Sequence, residues 1–384
     1  MVRGRMTSPF NRGFHSLSSK LFRLRYSWTL YLVIAAGLVV LVRMHYGHQQ
    51  LVELIKDSVN IDDEHPEFPV QFTTTTSTTT TTTSTTTTPT TTSTTTTTEQ
   101  TSSTFKSTCS EAADRRGPHQ NVIGYSIYGG NFSEPKFYRK YLKPFTDTLR
   151  TIPIRYPGWV VRIYHKLRSD DVESWTILNN ILDLGTNSSR DHIDLCNATE
   201  IIRNRQLGDL FEMTWRWLPL LDEMVDTLLS RDSDSPVFPR EEDAVREWLA
   251  SNKTFHIMRD HPAHCRFFVG CCWGVKIHQN RPAIVSEAEK MFHENHLHQY
   301  DYDQQLLIKY YQSMAAESMI AHDSYCCQVI KFPSQPYPTP RQNGLFVGWR
   351  EVGQPMEALR GHCPEKCRPQ NLTGTLATAD WSFC

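Results

Sequence analysis

The sequence predicts an α/β domain built on a doubly wound, mainly parallel sheet, set behind a transmembrane helix and a disordered Thr-rich stalk. Three observations carry this. Strand-like apolar runs alternate with segments of helical period over roughly 200 residues. An acidic pair leaves the end of one run, where such sheets bind ligands. An apolar stretch and a low-complexity tract precede all of it. In order, Asn121–Tyr128 is a first strand, ended by the Gly129-Gly130 turn. Tyr138–Thr151 has helical spacing with Pro144 early on, and Trp159–His165 is a second strand behind Pro157-Gly158. Ser174–Leu184 is helical, and His192–Leu195 is a short third strand. Asp209–Leu221 is an aromatic-rich helix leading to a strand before Ser230. Glu241–Ala250 is a helix and Thr254–Met258 a strand. Pro282–Phe292 and Asp303–Met319 are further helices, and Gln328–Phe332 is a late strand. Beyond residue 333 Pro and Gly are dense, and Cys363, Cys367 and Cys384 imply a disulfide-tied tail. No G-x-G-x-x-G motif follows the first strand.

The most informative tract is Val225-Asp226-Thr227-Leu228-Leu229-Ser230-Arg231-Asp232-Ser233-Asp234-Ser235. It is an apolar run that empties into two aspartates spaced i, i+2. On an extended backbone both carboxylates point to one side. Two hard oxygen donors at a strand end suit Mg²⁺ or Mn²⁺ and leave open positions for substrate phosphates. Taken alone, such a pair is more often a solvated or capping turn.

The N-terminal third belongs to another environment. The first 25 residues carry six Lys/Arg and no acidic residue, and Tyr26–Val42 is an almost unbroken apolar run closed by Arg43. A run of 17 residues is the short end of a membrane-spanning helix. The basic flank keeps residues 1–25 cytoplasmic and sends the rest to the lumen or outside. A cleaved signal peptide is the rival, but no small-x-small site follows in Val42-Arg43-Met44-His45. All ten cysteines lie beyond the span, as do sequons at Asn131, Asn187, Asn197, Asn252 and Asn371. Residues 73–98 are Thr, Ser and one Pro. They read as an O-glycosylated stalk or a plain spacer, about 90 Å long if fully stretched. The expected layout is tail 1–25, span 26–42, stem 43–108, α/β domain 109–355 and Cys-containing tail 356–384. Net charge is −1 without a basic stripe beyond the N-terminus, so nucleic acid is not an expected partner.

This layout, with an acidic pair after a strand, resembles a Golgi glycosyltransferase of the GT-A type, a nucleotide-diphospho-sugar transferase. The resemblance spans about residues 120–350. It rests on Leu229 to Ser235, Arg240-Glu241, Ala244 to Leu249, Phe255 to Pro262 and Trp273-Gly274. Tyr302-Asp303-Gln304 and Ala321-His322-Asp323-Ser324-Tyr325 resemble two further elements of related transferases. Where the pattern has Gly-Gly before Trp-Gly, this chain has Gly270-Cys271-Cys272, which alters that loop.

The resemblance implies a single-pass type II Golgi membrane protein with a luminal C-terminus. It implies a nucleotide-sugar donor, a glycan or glycoprotein acceptor, and Mn²⁺ or Mg²⁺. Asp232, Asp234 and His322 would be metal ligands, with His322 alternatively packing near Cys326-Cys327. Tyr128 and Gly129 would border the nucleotide, and Arg231 would meet a phosphate or a neighbouring carboxylate. Asp260 and His261 would read donor hydroxyls, with a plain turn as the alternative. Asp303 and Gln304 would lie at the reacting face, with helix capping an equal role for Asp303. His293, His296 and His298 mimic zinc spacing in a polar stretch without cysteines. Trp215, Trp217 and Trp248 suit the core. The rival class is a catalytically inactive, mucin-stalked cell-surface binding protein of the same fold. A luminal phosphohydrolase would want a denser set of His and Asp ligands. Of the cysteines, most should be in disulfides, and the neighbours Cys271-Cys272 and Cys326-Cys327 should each find partners elsewhere, because bonding neighbours strains the backbone.

Overall fold

The computed structural model describes residues 106–186, 189–350, 358–370 and 372–384. The chain divides into units Met1–Thr96 and Thr97–Cys384, and every described residue belongs to the second. The expected tail, span and Thr-rich tract lie outside the described residues. Among the described residues no helix is long and apolar enough to cross a membrane.

The elements are α1 (Glu111–Arg115), β1 (Gln120–Ile127), α2 (Lys143–Arg155), β2 (Val160–His165), α3 (Val172–Thr186), β3 (Ile193–Asn197) and α4 (Ala198–Arg205). A 3₁₀ segment, Glu212–Leu221, leads to β4 (Val225–Ser230) and α5 (Pro239–Ala250). Then come β5 (Phe255–Arg259), β6 (Trp273–Lys276), α6 (Arg281–His293), α7 (Tyr302–Glu317) and β7 (Met319–Asp323). One seven-stranded sheet has the order β3-β2-β1-β4-β6-β5-β7. Pairing is parallel except where β6 runs antiparallel to β4 and β5. The expected mainly parallel α/β sheet is therefore present.

The sheet is buried on both faces, which is why its strands read as continuous apolar runs rather than alternating ones. Along β1, Val122 enters one core and Ile123 the other; along β4, Leu228 and Leu229 divide the same way. The first core takes Trp217, Trp273 and Phe255, and the second Tyr125, Phe145 and Trp248. Trp215, Trp217 and Trp248 are thus core residues, as their spacing indicated.

Two expectations about the elements need correction. The aromatic segment before β4 is a 3₁₀ run rather than an α-helix; the buried residues Trp215 to Leu221 lie along it and Pro219 lies inside it. Gln328–Phe332 is not a strand. Val329 and Ile330 both donate backbone bonds to Cys326 O, and Val329 is 68% exposed. The last strand comes earlier, directly after α7, and the chain beyond it is tied through Cys326 to Cys265 and through Cys327 to Cys367. The four-residue β6, which begins with Trp273-Gly274, has no counterpart among the expected strands.

All ten cysteines are paired, as Cys109–Cys196, Cys265–Cys326, Cys271–Cys272, Cys327–Cys367 and Cys363–Cys384. The tail is tied as expected. Cys326 and Cys327 pair elsewhere as expected, but Cys271 and Cys272 bond to each other. A turn in which Cys272 N donates to Val269 O (3.0 Å) brings the two sulfurs together against Gly348.

One glycine sets the approach to the site. A Cβ on Gly124, in the middle of β1, would sit 2.1 Å from the carbonyl oxygen of Arg216. This gap lets the 3₁₀ segment lie directly on β1, with Arg216 N donating to Ser126 Oγ at 2.9 Å. Gly124→Ala is expected to cost about 1–3 kcal/mol by overpacking, read as a lower denaturation midpoint at unchanged m.

Candidate functional site

The chain reverses direction across the sheet between β1 and β4. After β1 it winds outward to β2 and β3, then returns to lay β4 on the other side of β1. In open α/β sheets the crevice outside the strand ends at such a switch point is where ligands bind. Here Tyr128-Gly129 follow the end of β1 and Asp232 and Asp234 follow the end of β4, and both motifs line one cleft. A cavity of about 350 Å³ is lined by Tyr128, Gly129, Arg216, Asp232, Asp234 and Arg350. A second, of about 560 Å³, shares Arg216, Asp232 and Arg350, and reaches Asp303, Gln304 and Cys271.

The floor is held from below by Ser230. Its hydroxyl accepts from Trp217 Nε1 (2.8 Å) and donates to Gly270 O (2.8 Å), tying β4 to the 3₁₀ segment and to the β5–β6 loop. Above it, the buried Arg216 guanidinium pairs with Asp232 Oδ1 and with Asp303 Oδ2 (3.0 Å). Arg350 Nε stands 3.8 Å from Asp234 Oδ2. Burial works to raise the Asp232 carboxyl, but Arg216, Arg350 and Arg231 outweigh it and hold it below the usual aspartate value. Asp234 behaves oppositely. Burial first, and the charge of Asp232 second, push it up to about 6 against the pull of Arg350 and Lys140. Burial also raises Asp303, against Arg216, and its Oδ1 is buried with no hydrogen-bond partner. Three acids share a cleft in which Arg216 directly bonds two of them.

Compared with models of protein families, the chain matches none, and no curated protein matches it.

The structure brings together Tyr128, Gly129, Asp232, Asp234, Asp303 and Gln304. Gln304 Nε2 donates to Asp301 Oδ1 at 2.7 Å, and Asp303 occupies the first turn of α7, where the helix dipole also favours a carboxylate. Four other expected site residues lie elsewhere or are fully engaged.

His322 is the clearest correction. It sits on β7, three strands from β4, a separation of about 14 Å at the usual strand spacing. Its Nδ1 is 2.8 Å from His256 Nε2 and its Nε2 is 3.2 Å from Glu247. Burial lowers its basicity, although Glu247 pulls the other way. In this structure it does not stand with Asp232 and Asp234. Among the described residues no group of three or more His, Cys, Asp or Glu is arranged to hold a metal.

Arg231 turns away from the cleft to pair with buried Glu241 (3.0 Å) and to donate to Pro236 O (3.0 Å). Of its two expected partners, the carboxylate is the one it meets. Asp260 is wholly buried and its oxygens accept from Arg240, Arg341, Ser324 Oγ and Val347 N, so it has no face left for a sugar. His261 caps a short 3₁₀ turn by accepting from Ala263 N (3.0 Å) and packs on Phe346. The turn alternative fits His261, whereas Asp260 is the buried ion-pair partner of Arg240 and Arg341.

Arg216 and Arg350 were missed. Arg216 was hidden in an aromatic run that reads as core, and Arg350 in the Pro/Gly-rich tail. Among the mimics of a zinc site, His296 is buried with its Nδ1 accepting from Phe211 N, and His293 Nδ1 lies 2.7 Å from Glu289 O.

Proposed function

We propose that the chain is a metal-assisted glycosyltransferase of GT-A type. It would move a sugar from a nucleotide-sugar donor to a glycan or glycoprotein acceptor, as a type II protein of the Golgi membrane. The single observation that carries this reading is the Asp232–Asp234 pair at the β4 end, facing Tyr128-Gly129 across the switch point.

The acid pair fits a hard divalent cation. Asp234 is held at about 6 because it lies buried beside a like charge with too little countercharge, and a dication would relieve that. Mg²⁺ commonly takes one or two carboxylates and completes its shell with water and substrate phosphates, so two protein donors suffice. Asp232 and Asp234 would hold the ion, and when bound it would neutralise charge on a departing diphosphate. Arg350 and Lys140, on the cleft wall beside Asp234, supply fixed positive charge for the same phosphates. Tyr128 and Gly129 border the nucleotide. Asp303 and Gln304 face the larger cavity, where the sugar and acceptor would meet. Arg216 fixes the distance between Asp232 and Asp303. Five disulfides are compatible with an oxidising lumen.

One observation favours a second reading. Asp232 is already neutralised by the protein's own Arg216, as suits a binding protein of this fold that has given up catalysis. The test is a panel of nucleotide sugars offered to the purified full chain, with and without Mn²⁺, read as release of nucleoside diphosphate. Donor binding without turnover, together with residence at the plasma membrane, would favour the second reading. Failure to bind any nucleotide sugar would remove both the donor and the metal from the account.

A further inference from the structure

The Cys271–Cys272 bridge lies between two segments that shape the cleft. On one side, Arg231 Nη1 stands 3.8 Å from Cys272 Sγ, directly behind Asp232 in the chain. On the other, Gly348 packs so closely that a Cβ there would lie 3.2 Å from both sulfurs. Gly348 also needs its left-handed φ of 89°, which a side chain would resist. Two residues on is Arg350, the cation facing Asp234. Ser235 Oγ donates to Trp349 O (2.9 Å), closing the ring from the acid pair back to the same segment.

The bridge directly follows Gly270 in the chain. A Cβ at Gly270 would meet Asp303 Oδ2 at 2.4 Å and Arg216 Nη2 at 3.0 Å, so this backbone forms the wall of the Arg216–Asp303 pair. Its carbonyl is held by Ser230 and the next turn by Met258 N donating to Cys272 O (3.0 Å). Cys271 itself lines the 560 Å³ cavity and keeps 7% of its surface exposed, while Cys272 behind it is fully buried.

We propose that the Cys271–Cys272 disulfide is a thiol-labile positioning element, which sets Gly270 against Asp303 and Arg350 against Asp234. Its opening loosens the cleft without unfolding the domain. In the opening step a dithiol attacks Cys271 Sγ and the S–S bond breaks. Two electrons and two protons pass to the protein, which gains two thiols, while the dithiol closes to its own cyclic disulfide. The remaining bridges tie distant parts of the chain, with sequence separations from 21 to 87 residues, and their loop closure is unaffected. The bond between neighbours closes almost no loop, so its effect is local.

The test compares the full chain with a Cys271→Ser/Cys272→Ser double variant by hydrogen exchange. Exchange of the backbone amides of residues 269–273 and 346–350 is expected to rise on the order of tenfold, with β1 and β4 unchanged. As a second measurement, wild type is treated with graded dithiothreitol, alkylated and mapped by mass spectrometry, and the same exchange change is expected once Cys271 and Cys272 are labelled. Unchanged exchange at 346–350 when both thiols are labelled would overturn the proposal, and so would loss of protection throughout the domain. The consequence for ligands rests on the function proposed above. Binding of uridine and guanosine diphosphates with Mn²⁺ should weaken roughly tenfold in the variant through lost preorganisation. If wild type binds neither nucleotide, the glycosyltransferase reading fails, and the positioning role is decided by exchange alone.

Discussion

Asp234→Asn is expected to make the metal-free protein more stable while abolishing Mn²⁺-dependent binding of a nucleoside diphosphate. The two halves have one cause. Asp234 titrates at about 6 in the folded chain, against about 4 for an unperturbed aspartate. A carboxyl whose folded value is raised binds its proton more tightly folded than unfolded. Its ionised form therefore destabilises the fold above pH 6, and that penalty fades as pH falls from 6 towards 4. At pH 7.5 in chelator the penalty is on the order of 2–3 kcal/mol, so Asn should raise the melting temperature, by about 2–4 °C for each kcal/mol. The gain should vanish near pH 4. With metal the order reverses, because wild type gains binding energy that the variant lacks. Asp234→Ala should lose nucleotide binding equally, and transfer should fall by on the order of several kcal/mol of transition-state stabilisation. His322→Ala, far from the acid pair, should leave Mn²⁺ binding unchanged. Calorimetric titration of Mn²⁺ with uridine and guanosine diphosphates into wild type and each variant measures all of this. Equal binding by wild type and Asp234→Ala would remove the metal-assisted mechanism.

The parts of the site legible in the sequence are those set by local rules. Strand β4 announces itself as an apolar run, and a doubly buried parallel strand has to look that way. The residues just past its end inherit a place at the cleft, so the strand before Asp232 and Asp234 locates them where their spacing alone would fit a solvated turn. The Gly129-Gly130 turn at the end of β1 was legible for the same reason. His322 was not, since its place depends on the order of strands across the sheet. Antiparallel β6 and then β5 are interposed between β4 and β7, and no local pattern encodes that order. Arg216 was masked because a buried cation amid Trp215, Trp217 and Leu218 looks like a helix face. Only the contact with β1 that Gly124 permits shows where it points. The Cys271–Cys272 pairing ran against the general rule for neighbours, and the other eight cysteines pair among themselves.

Asp260→Ala is expected to cost about 3–5 kcal/mol in stability, the scale seen when one partner of a buried ion pair is removed. The carboxylate is fully buried between Arg240 (3.1 Å) and Arg341 (2.7 Å), and also accepts from Ser324 Oγ (2.6 Å) and Val347 N (3.0 Å). Removing it leaves two buried guanidinium groups facing each other without their shared counter-ion. Burial tends to raise Asp260, but Arg240 and Arg341 outweigh it and hold it below the ordinary aspartate value. A depressed carboxyl contributes stability that is fully present above about pH 4 and is lost as pH falls through the folded value. Wild type should therefore lose this contribution in acid, and the difference between wild type and Asp260→Ala should narrow as pH drops below 4. Asp260→Asn should cost less, because the amide oxygen still accepts. Adding Arg240→Met to Asp260→Ala should recover part of the loss by removing one stranded charge. Urea denaturation at pH 7 and pH 3.5 reads each variant. A fall in nucleotide-sugar binding with stability unchanged would return Asp260 to the role of a sugar contact. A loss of stability that is partly restored by Arg240→Met identifies it as the anchor that ties residues 339–347, and through them Arg350, to the sheet.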